Sequence, residues 1–288
     1  MGPPEDAGSF RAGGQVLAAC TDTLVLRTDA PPGMGPGEAG AKAVVACVSD
    51  LAAKGVRPEF GTISVSLPEG TTASYARRMA GGVGRACRRY GVRMVAGDTG
   101  EGEASVTICL VGRTSGMIPR GGARPGDDVY VTGPFGGAAA GLDSAMSGGS
   151  RFRRCVMAPA ARLEFGVWNA RYATAAMDSS DGLAATLHGI AGASGVRIDV
   201  DDVPAARGVA AYAGRRGLDL ERLVFQGGEE YEIVFTAPGS AGRSIRAGAS
   251  RMGVPVARIG AASRGSGVRL GGRPLADQGW RHLGRRRR

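Results

Sequence analysis

The stretch Met177-Asp-Ser-Ser-Asp-Gly-Leu183 places two carboxylates three residues apart, with two hydroxyls between them, directly before an apolar pattern of helical spacing. Leu183 and Leu187 lie on one face of that pattern, so a helix is predicted to begin here, with Ser180 or Asp181 as its N-cap. Residues i and i+3 share a helix face, and two carboxylates held there repel each other unless a cation lies between them. A hard divalent ion such as Mg²⁺ prefers carboxylate oxygens and can also bind phosphate. A turn that only caps a helix is the structural alternative.

The composition is typical of a folded protein of about two domains. Of the 288 residues, 43% are hydrophobic, 50 are glycine and 5% are aromatic, so we expect many tight turns and cores of small aliphatic side chains. The chain has no apolar run of about 18 residues and no signal sequence at its first residues, so neither a membrane span nor export is predicted. The five cysteines form no CxxC pair and are interpreted as reduced core thiols of a cytoplasmic protein.

The net charge is +10, and some of the basic residues that produce it are concentrated in two segments. Eight of the basic residues form two groups, one on a predicted helix (Arg77, Arg78, Arg88 and Arg89) and one at the end of the sequence (residues 285–288). Aromatic side chains are not interleaved with them, so nucleic acid is not the favoured partner. Anionic small substrates such as nucleotides account for part of the excess.

Predicted strands and helices alternate loosely in both halves, which indicates a mixed α/β and α+β protein. A strand over residues 15–26 is expected to be interrupted at Thr21-Asp22, and a strand over 92–96 is expected to end at Gly97-Asp98-Thr99-Gly100. Helices are predicted over 38–54 and 160–174. The Gly/Pro-rich segment 133–137 is the predicted boundary between a domain of residues 1–135 and one of residues 136–288.

Several carboxylates lie at predicted strand ends, loop mouths or apolar faces, where a charge is costly unless it is paired. These are Asp6, Asp22, Asp50 and Asp98, besides the pair in the opening stretch. Lys54 lies four residues after Asp50 and is the only basic neighbour at helical spacing. A cluster of five or six carboxylates cannot ionise together without cations, and two or more Mg²⁺ ions would neutralise it and bind polyphosphate.

No known phosphate-binding loop is present. The sequence contains neither GxxxxGK[ST] nor a GxGxxG that opens a helix after a strand. Phosphate binding is therefore expected to depend on metal ions, a Gly-rich backbone and an arginine such as Arg120.

Five blocks of the sequence are residues 21–25 (TDTLV), 42–55 (KAVVACVSDLAAKG), 96–99 (AGDT), 178–183 (DSSDGL) and 227–232 (GGEEYE). In their order and at about these spacings, over nearly the whole chain, they resemble the thiamine-monophosphate kinase family. Sister families with the same architecture are the aminoimidazole ribonucleotide synthetases, selenophosphate synthetases and hydrogenase-maturation dehydratases. The Ser-Asp-Leu-Ala-Ala-Lys-Gly and Gly-Gly-Glu-Glu-Tyr-Glu blocks are most similar to the thiamine family, and the Sec or Cys motif of selenophosphate synthetase is absent.

The resemblance implies that ATP phosphorylates thiamine monophosphate to thiamine diphosphate with the help of two or more Mg²⁺ ions. It implies the aminoimidazole ribonucleotide synthetase-like fold, with an N-terminal α/β domain that binds ATP and Mg²⁺ and forms a homodimer, and a C-terminal α+β domain. No catalytic base is implied. By matching positions it implies metal ligands at Asp6, Thr21, Asp22, Asp50, Asp98, Asp178 and Asp181, ATP contacts at Tyr90, Gly97, Asp98, Arg120 and Ser180, and substrate contacts at Asp29, Glu229 and Trp280.

The sequence departs from the family pattern at several positions. The usual Gly-Asp-Asp-Ala motif is reduced to Pro4-Glu5-Asp6-Ala7 at the very start of the sequence. Family members usually have a helix before this motif, so either this sequence begins late or this member lacks that segment. Cys20 replaces a serine, Glu230 replaces the commoner aspartate, and Asp29 replaces the histidine of many bacterial members, which is similar to the archaeal version.

Two alternative functions remain at this point. One is a sister enzyme that uses ATP to make an amidine, acyl phosphate or selenophosphate. The other is a non-catalytic protein that binds nucleotide. A homodimer is expected because the apolar strands over 60–67 and 104–111 would have edges that need cover.

Overall fold

The computed structural model describes residues 5–279, in which the chain forms twelve strands and ten α-helices. Trp280 and the arginine run at 285–288 lie outside the described residues. The strands are β1 (Gly8–Ala12), β2 (Gln15–Val25), β3 (Phe60–Leu67), β4 (Arg93–Glu101), β5 (Ser105–Arg113), β6 (Asp127–Val131), β7 (Ala175–Asp178), β8 (Arg197–Val200), β9 (Ile233–Pro238), β10 (Ala257–Ser263), β11 (Gly267–Leu270) and β12 (Arg273–Pro274). The helices are α1 (Leu26–Asp29), α2 (Pro36–Ala53), α3 (Ala73–Tyr90), α4 (Gly137–Met146), α5 (Arg153–Met157), α6 (Leu163–Asn169), α7 (Leu183–Ser194), α8 (Val209–Arg216), α9 (Leu220–Gln226) and α10 (Gly242–Arg251).

The strands form two sheets. The first has the order β1-β2-β5-β3-β4 and is antiparallel except for the β3–β4 pair. The second has the order β12-β11-β8-β10-β6-β9-β7 and is antiparallel except for the β11–β8 pair. The chain passes from the first sheet to the second between β5 and β6, which is earlier than the predicted boundary at 133–137. That Gly/Pro segment turns the chain from β6 into α4 instead.

Helix α2 is the central element of the molecule. It packs against β2, β5 and α3 on one side and against α6, β7 and β9 on the other. Pro36 occupies its first turn, and the Glu38 carboxylate accepts a hydrogen bond from the Gly35 N–H at 2.8 Å, which is the half of a capping box that a glycine N-cap allows. The helix buries Ala, Val, Cys and Leu side chains on most of its circumference, as expected for a helix enclosed by two layers.

Two strands of the first sheet are longer than their sequence predicts. Strand β2 runs without interruption from Gln15 to Val25, because Thr21 and Asp22 both keep their pairing with β5. Strand β4 continues through Asp98 to Glu101, because β3 pairs with it over its whole length. Asp98 therefore lies inside a strand and not in the loop that the Gly-Asp-Thr-Gly sequence predicts.

Other differences concern extent and position. The helix predicted over 160–174 is shorter, since α6 covers only Leu163–Asn169. The strand β1, the one-turn helix α1 and the helix α9 have no predicted counterpart. Strands β3 and β5 are both internal to the first sheet, so the expectation that their edges need cover is wrong; the edge strands are β1 and β4. No helix within residues 5–279 is both long enough and apolar enough to span a membrane.

Candidate active site

The segment 178–182 and the segment 227–232 face each other across the end of the second sheet. Asp178 is the last residue of β7 and pairs with Ile233 of β9. Beyond that pair the backbone bonds continue: Ser179 N–H donates to Glu232 O at 2.8 Å, and Glu229 N–H donates to Ser180 O at 2.6 Å. Two sequence blocks that lie about fifty residues apart are thus held together by their main chains.

Two glycines permit this close approach. Gly182 has a φ of +106°, a backbone conformation that side chains disfavour. A Cβ added at Gly228 would lie 2.5 Å from the Ser180 carbonyl oxygen, which is shorter than real contacts allow. The glycines in these blocks are therefore required by the packing of the two segments.

The helix prediction for this region is correct, but the cap and the shared helix face are wrong. Helix α7 begins at Leu183, its N-cap is Gly182, and no side chain caps it. Asp178 belongs to β7, so it and Asp181 do not lie on one face of a helix. The strand β7 carries Asp178 into the interior, where it is only 3% exposed.

Four of the predicted carboxylates lie close enough to influence one another. Burial raises the pKa of Asp178 to about 7, and the negative charges of Asp6 and Asp22 act in the same direction. Burial also raises the pKa of Asp50 well above its ordinary value, with the charge of Asp178 as the next cause. The four carboxylates come from the segment before β1, from β2, from α2 and from β7.

Several polar atoms at this cluster are buried and have no hydrogen-bond partner. They include the hydroxyl oxygen of Ser179 and Asp178 Oδ2; the Ser49 hydroxyl lies near enough to Asp178 to lower the pKa of that carboxyl but does not reach hydrogen-bond geometry. Arg120 Nε is a further buried donor without a partner. Buried polar atoms are normally satisfied, so this concentration of exceptions fits a site whose partners are ligand atoms.

The side chains as they stand do not form a finished metal site. Within residues 5–279, no three histidine, cysteine, aspartate or glutamate side chains converge as a group that could hold an ion. Metal binding would require the carboxylates to turn toward a shared ion. Such a turn is compatible with Asp178 Oδ2 having no present partner.

Two buried lysines of α2 contact this cluster, and sequence reasoning did not assign them a role. The side chain of Lys42 is completely buried; it forms an ion pair with Glu229 and donates to Asp29 O at 2.9 Å. Lys54 is equally buried and does not pair with Asp50, as its spacing predicted; its ammonium contacts Glu5 and Asp6 instead. A lysine on an otherwise apolar helix is a signal that could have identified both.

Glu229 has an unusual backbone and a perturbed side chain. Its φ is +66°, and its neighbour Tyr231 has a φ of +52°; both are rare for residues other than glycine. Burial raises the pKa of Glu229, and the adjacent Lys42 opposes that rise. Tyr231 is 5% exposed, and burial together with the charge of Glu229 raises its pKa well above the ordinary value. Backbone strain of this kind often occurs at functional sites.

Arg120 joins the cluster through the segment that carries Asp6. Its backbone N–H donates to Glu5 Oε1 at 2.9 Å and its Nη2 donates to Asp6 Oδ1 at 2.5 Å. Asp29 lies nearby, where its charge raises the pKa of Glu229 after the larger effect of burial, but its own Oδ2 accepts the Val25 N–H at 2.8 Å. Ser180 is half-buried and contributes its carbonyl to the Glu229 contact.

Three of the predicted residues lie apart from the cluster in a single chain. Tyr90, at the end of α3, is buried, and its hydroxyl accepts the Ala161 N–H at 3.0 Å. Asp98 lies on the edge strand β4, three strands away from β2, and Gly97 precedes it. Asp98 pairs with Ser64, Ser64 with Thr107 and Thr107 with Thr23, so these four side chains leave the sheet on the same face. Side chains alternate along a strand, so Asp22, the neighbour of Thr23, leaves on the opposite face. The exposed Thr21 shares the Asp98 face.

The cysteine prediction is confirmed. All five thiols are free; Cys20, Cys47 and Cys87 are buried and the other two are partly buried. A separate cavity of about 300 Å³ is lined by Gly33, Gly149 and Arg151 among others, and none of the candidate carboxylates lines it. It is therefore distinct from the cluster.

Comparisons with known proteins agree on one family. The sequence pattern of the family described as "AIR synthase related protein, N-terminal domain" matches residues 4–114. A thiamine-monophosphate kinase of Nitrosopumilus maritimus (strain SCM1) is 39% identical over 291 residues, which covers 97% of this chain and 93% of the relative.

Solved structures have the same fold. A structure described as "AaThiL complexed with AMPPCP and TMP" has a TM-score of 0.87 and 30% identity, covering 97% of this chain and 91% of that one. The hydrogenase maturation protein HypE of E. coli has a TM-score of 0.77 at 22% identity, covering 90% of this chain and 85% of that one. At this identity the second likeness shows the fold alone.

Proposed function

The chain belongs to the thiamine-monophosphate kinase family, and we propose that it transfers the γ-phosphoryl group of ATP to thiamine monophosphate, giving thiamine diphosphate and ADP. The observation that carries the proposal is the grouping of the buried Asp178 with the half-buried Asp22 and Asp50 at the junction of α2 with both sheets, together with the unpartnered Asp178 Oδ2 and Ser179 hydroxyl. A donor and an acceptor that are both phosphates need a site that neutralises several negative charges.

The donor set fits Mg²⁺. Carboxylate oxygens are the ligands that this ion prefers, and Asp178 Oδ2 is buried without a hydrogen-bond partner. When bound, two or more Mg²⁺ ions would offset the charge of the phosphates and of the protein together. The proposed ligands are Asp6, Thr21, Asp22, Asp50, Asp98, Asp178 and Asp181.

The residues of this chain bind and orient the two substrates. We assign Arg120 and Ser180 to the ATP phosphates, because Arg120 has an unpartnered buried Nε and Ser180 lies at the turn before α7. Gly97 and Tyr90 are assigned to ATP by resemblance only. Glu229 is assigned to the thiamine end, with Asp29 beside it, because a carboxylate there can face the positive thiazolium ring or accept from the aminopyrimidine.

The reaction needs no general base from the protein. The attacking group is a phosphate oxygen of thiamine monophosphate, which is already an anion. Rate enhancement then comes from holding donor and acceptor in line and from stabilising charge in the transition state. Residues such as Arg120 act by charge and position.

We further propose a homodimer through the exposed face of the first sheet. Large apolar side chains of this sheet remain exposed in the single chain: Val95 is 57%, Phe10 49% and Phe60 39% exposed. Asp98 and Thr21 leave the sheet on the same face. A second copy packed there would bring its Asp98 toward Thr21 of the first, on the strand whose other face carries Asp22, which accounts for the separation of Asp98 and Thr21 within one chain.

Complementation between subunits tests this arrangement. Asp22→Asn and Asp98→Asn should each inactivate the enzyme. Mixing the two inactive proteins and allowing subunits to exchange should restore about a quarter of wild-type activity, because half the dimers are mixed and one of their two sites is intact. A monomeric mass at micromolar concentration with activity retained, or no recovery on mixing despite exchange, would contradict the shared site.

We place the protein in the cytoplasm, where ATP is available and where free thiols such as Cys20 and Cys47 remain reduced. The catalytic proposal is tested with purified protein, Mg²⁺, ATP and a panel of acceptors: thiamine monophosphate, formylglycinamidine ribonucleotide and selenide. Product should form only with thiamine monophosphate and only with the divalent ion. ATP binding without any thiamine diphosphate would refute the kinase, and turnover of another acceptor would favour a sister activity.

A further inference from the structure

Lys54 is a charged residue at the C-cap of α2 whose side chain is completely buried. The helix residues before it, Leu51, Ala52 and Ala53, are apolar and buried as well. A buried ammonium is unfavourable unless its hydrogen-bonding capacity is used and its charge is compensated.

Three oxygen atoms meet those requirements. Lys54 Nζ lies 2.7 Å from Glu5 Oε2, 2.9 Å from Asp6 Oδ2 and 3.0 Å from the carbonyl oxygen of Ala176. The contacts with Glu5 and Ala176 are hydrogen bonds, whereas the contact with Asp6 is an ion pair in which Asp6 Oδ2 accepts no hydrogen bond. The ammonium therefore links α2, the segment before β1, and β7 at a point two residues before Asp178.

The segment that carries Asp6 has few other attachments. Regular pairing with β2 begins only at Gly8. Besides Lys54, the Glu5 and Asp6 side chains contact Arg120, through its backbone N–H and its Nη2. Two carboxylates and two cations are thereby grouped next to Asp178, and Lys54 is the only member of the group that belongs to the rigid α2.

We propose that Lys54 is a positioning residue that fixes Asp6 against the carboxylate cluster before any divalent ion binds. The fixed charge of Lys54 compensates Glu5 and Asp6, so the segment is ordered in the metal-free protein. The role of Asp6 in the reaction rests on the proposed function, whereas its attachment to Lys54 does not.

The attachment is tested in the full-length, metal-free protein by backbone order parameters from ¹⁵N relaxation. We expect values near about 0.85 at residues 5–7 in the wild type, falling below about 0.6 in Lys54→Met. Methionine keeps the length and apolar character of the stem and removes only the charge. The control is Arg57→Met, which removes an exposed ion pair between Arg57 and Glu164 at the same end of α2 and should leave residues 5–7 ordered.

A second variant covers the case that Lys54→Met does not fold. Glu5→Gln combined with Asp6→Asn keeps Lys54 in place with the Ala176 carbonyl and weakens both charged contacts. It should loosen residues 5–7 to the same extent while β1, from Gly8 onward, stays ordered.

The kinetic consequence separates a positioning role from a general loss of stability. We expect Lys54→Met to lower kcat/KM for Mg·ATP by about 10–100-fold, the usual cost of losing support for a metal ligand. The Mg²⁺ concentration for half-maximal rate should rise, and KM for thiamine monophosphate should stay unchanged. Asp6→Asn combined with Lys54→Met should be no slower than Asp6→Asn alone, since both act through one contact.

The outcomes distinguish this inference from the proposed function. Residues 5–7 that stay ordered in Lys54→Met overturn the inference. Loosened residues with unchanged kcat/KM and unchanged Mg²⁺ requirement also overturn it, because Lys54 would then fix a segment that catalysis does not use. A wild-type protein that is inactive on thiamine monophosphate refutes the proposed function alone and leaves the order measurement valid.

Discussion

Asp178→Asn should stabilise the metal-free protein at neutral and alkaline pH, although it removes a proposed metal ligand. Burial raises the pKa of Asp178 from 3.8 to about 7, so its charged form is disfavoured in the folded state relative to the unfolded state. At roughly 1.4 kcal/mol for each tenfold change, that difference costs the folded state at most about 4 kcal/mol once the carboxylate is ionised. Asparagine has nearly the same shape and carries no charge, so it avoids this cost.

The pH dependence follows from the direction of the shift. Because the folded pKa lies above the unfolded one, the wild type is not penalised below about pH 4. The penalty builds up between about pH 4 and 7 and is complete above that range. The free energy of unfolding of Asp178→Asn minus that of the wild type should therefore grow from pH 5 to pH 8. Glu230, whose pKa burial likewise raises to about 7, is present in both proteins and cancels in the difference.

The assay is chemical denaturation in the presence of EDTA at several pH values between 5 and 8. A matched control is Asp127→Asn. Asp127 is 5% exposed, but its Oδ2 accepts hydrogen bonds from Arg124 N–H and the Thr174 hydroxyl at 2.9 and 2.7 Å. The amide oxygen of asparagine can take the same position but carries no charge, so these hydrogen bonds weaken and this variant should show no gain in stability that grows with pH.

Saturating Mg²⁺ with an ATP analogue should remove most of the stability advantage of Asp178→Asn over the wild type. A ligand at 100 times its Kd adds about 2.7 kcal/mol to a protein that binds it. The wild type gains that stabilisation, and Asp178→Asn gains much less. Two results would refute the reasoning that the fold holds Asp178 in an unfavourable charged state that a bound cation relieves. One is a difference in the free energy of unfolding, measured in EDTA, that does not change with pH. The other is an Asp178→Asn variant that is less stable than the wild type at pH 8.

Three further changes test other parts of the site. Asp181→Asn should lower kcat by about 100-fold or more and raise the Mg²⁺ concentration needed for half-maximal rate. The rate is measured by thiamine diphosphate formation. An unchanged rate with lower thermal stability would mean that Asp181 stabilises the fold and does not bind metal. Glu229→Gln should raise KM for thiamine monophosphate far more than KM for ATP, and equal effects would place this side chain elsewhere. Gly228→Ala should lower both Tm and kcat, because the new Cβ would lie 2.5 Å from Ser180 O. Gly116→Ala is the control, because Gly116, like Gly228, has no positive φ and its added Cβ would meet nothing within 4 Å.

Local sequence patterns predicted the elements that keep one buried face along their whole length. The alternation over 60–67 matches β3 to the residue, and the long apolar face of α2 is recovered to within two residues at its start. Both depend on periodicity, which is a property of the sequence alone.

The prediction failed where distant partners decide the local structure. Thr21-Asp22 looks like a break but stays in β2 because β5 pairs along its full length. Asp98 looks like a loop residue but stays in β4 because β3 pairs with it. Pairing across more than 30 residues of sequence overrides turn propensity, and no local window contains that information.

In the candidate site, too, local patterns predicted some features and distant partners determined others. The residue types and the blocks predicted a carboxylate cluster, and Asp6, Asp22, Asp50 and Asp178 influence one another in the structure. The partner of Lys54 could not be predicted, because the helical spacing pointed to Asp50 whereas the observed partners lie almost fifty residues away.

The position of α2 between the two sheets has a consequence for folding kinetics. Asp22 and Asp50 can approach each other as soon as β2 and α2 pack, but Asp178 reaches them only when β7 docks on α2, over a sequence separation of more than 120 residues. Contacts of such high sequence separation form late. The repulsion among the carboxylates therefore opposes the last step of folding and not the early ones, so divalent cations present during refolding should accelerate that final docking while leaving the formation of the separate sheets unchanged.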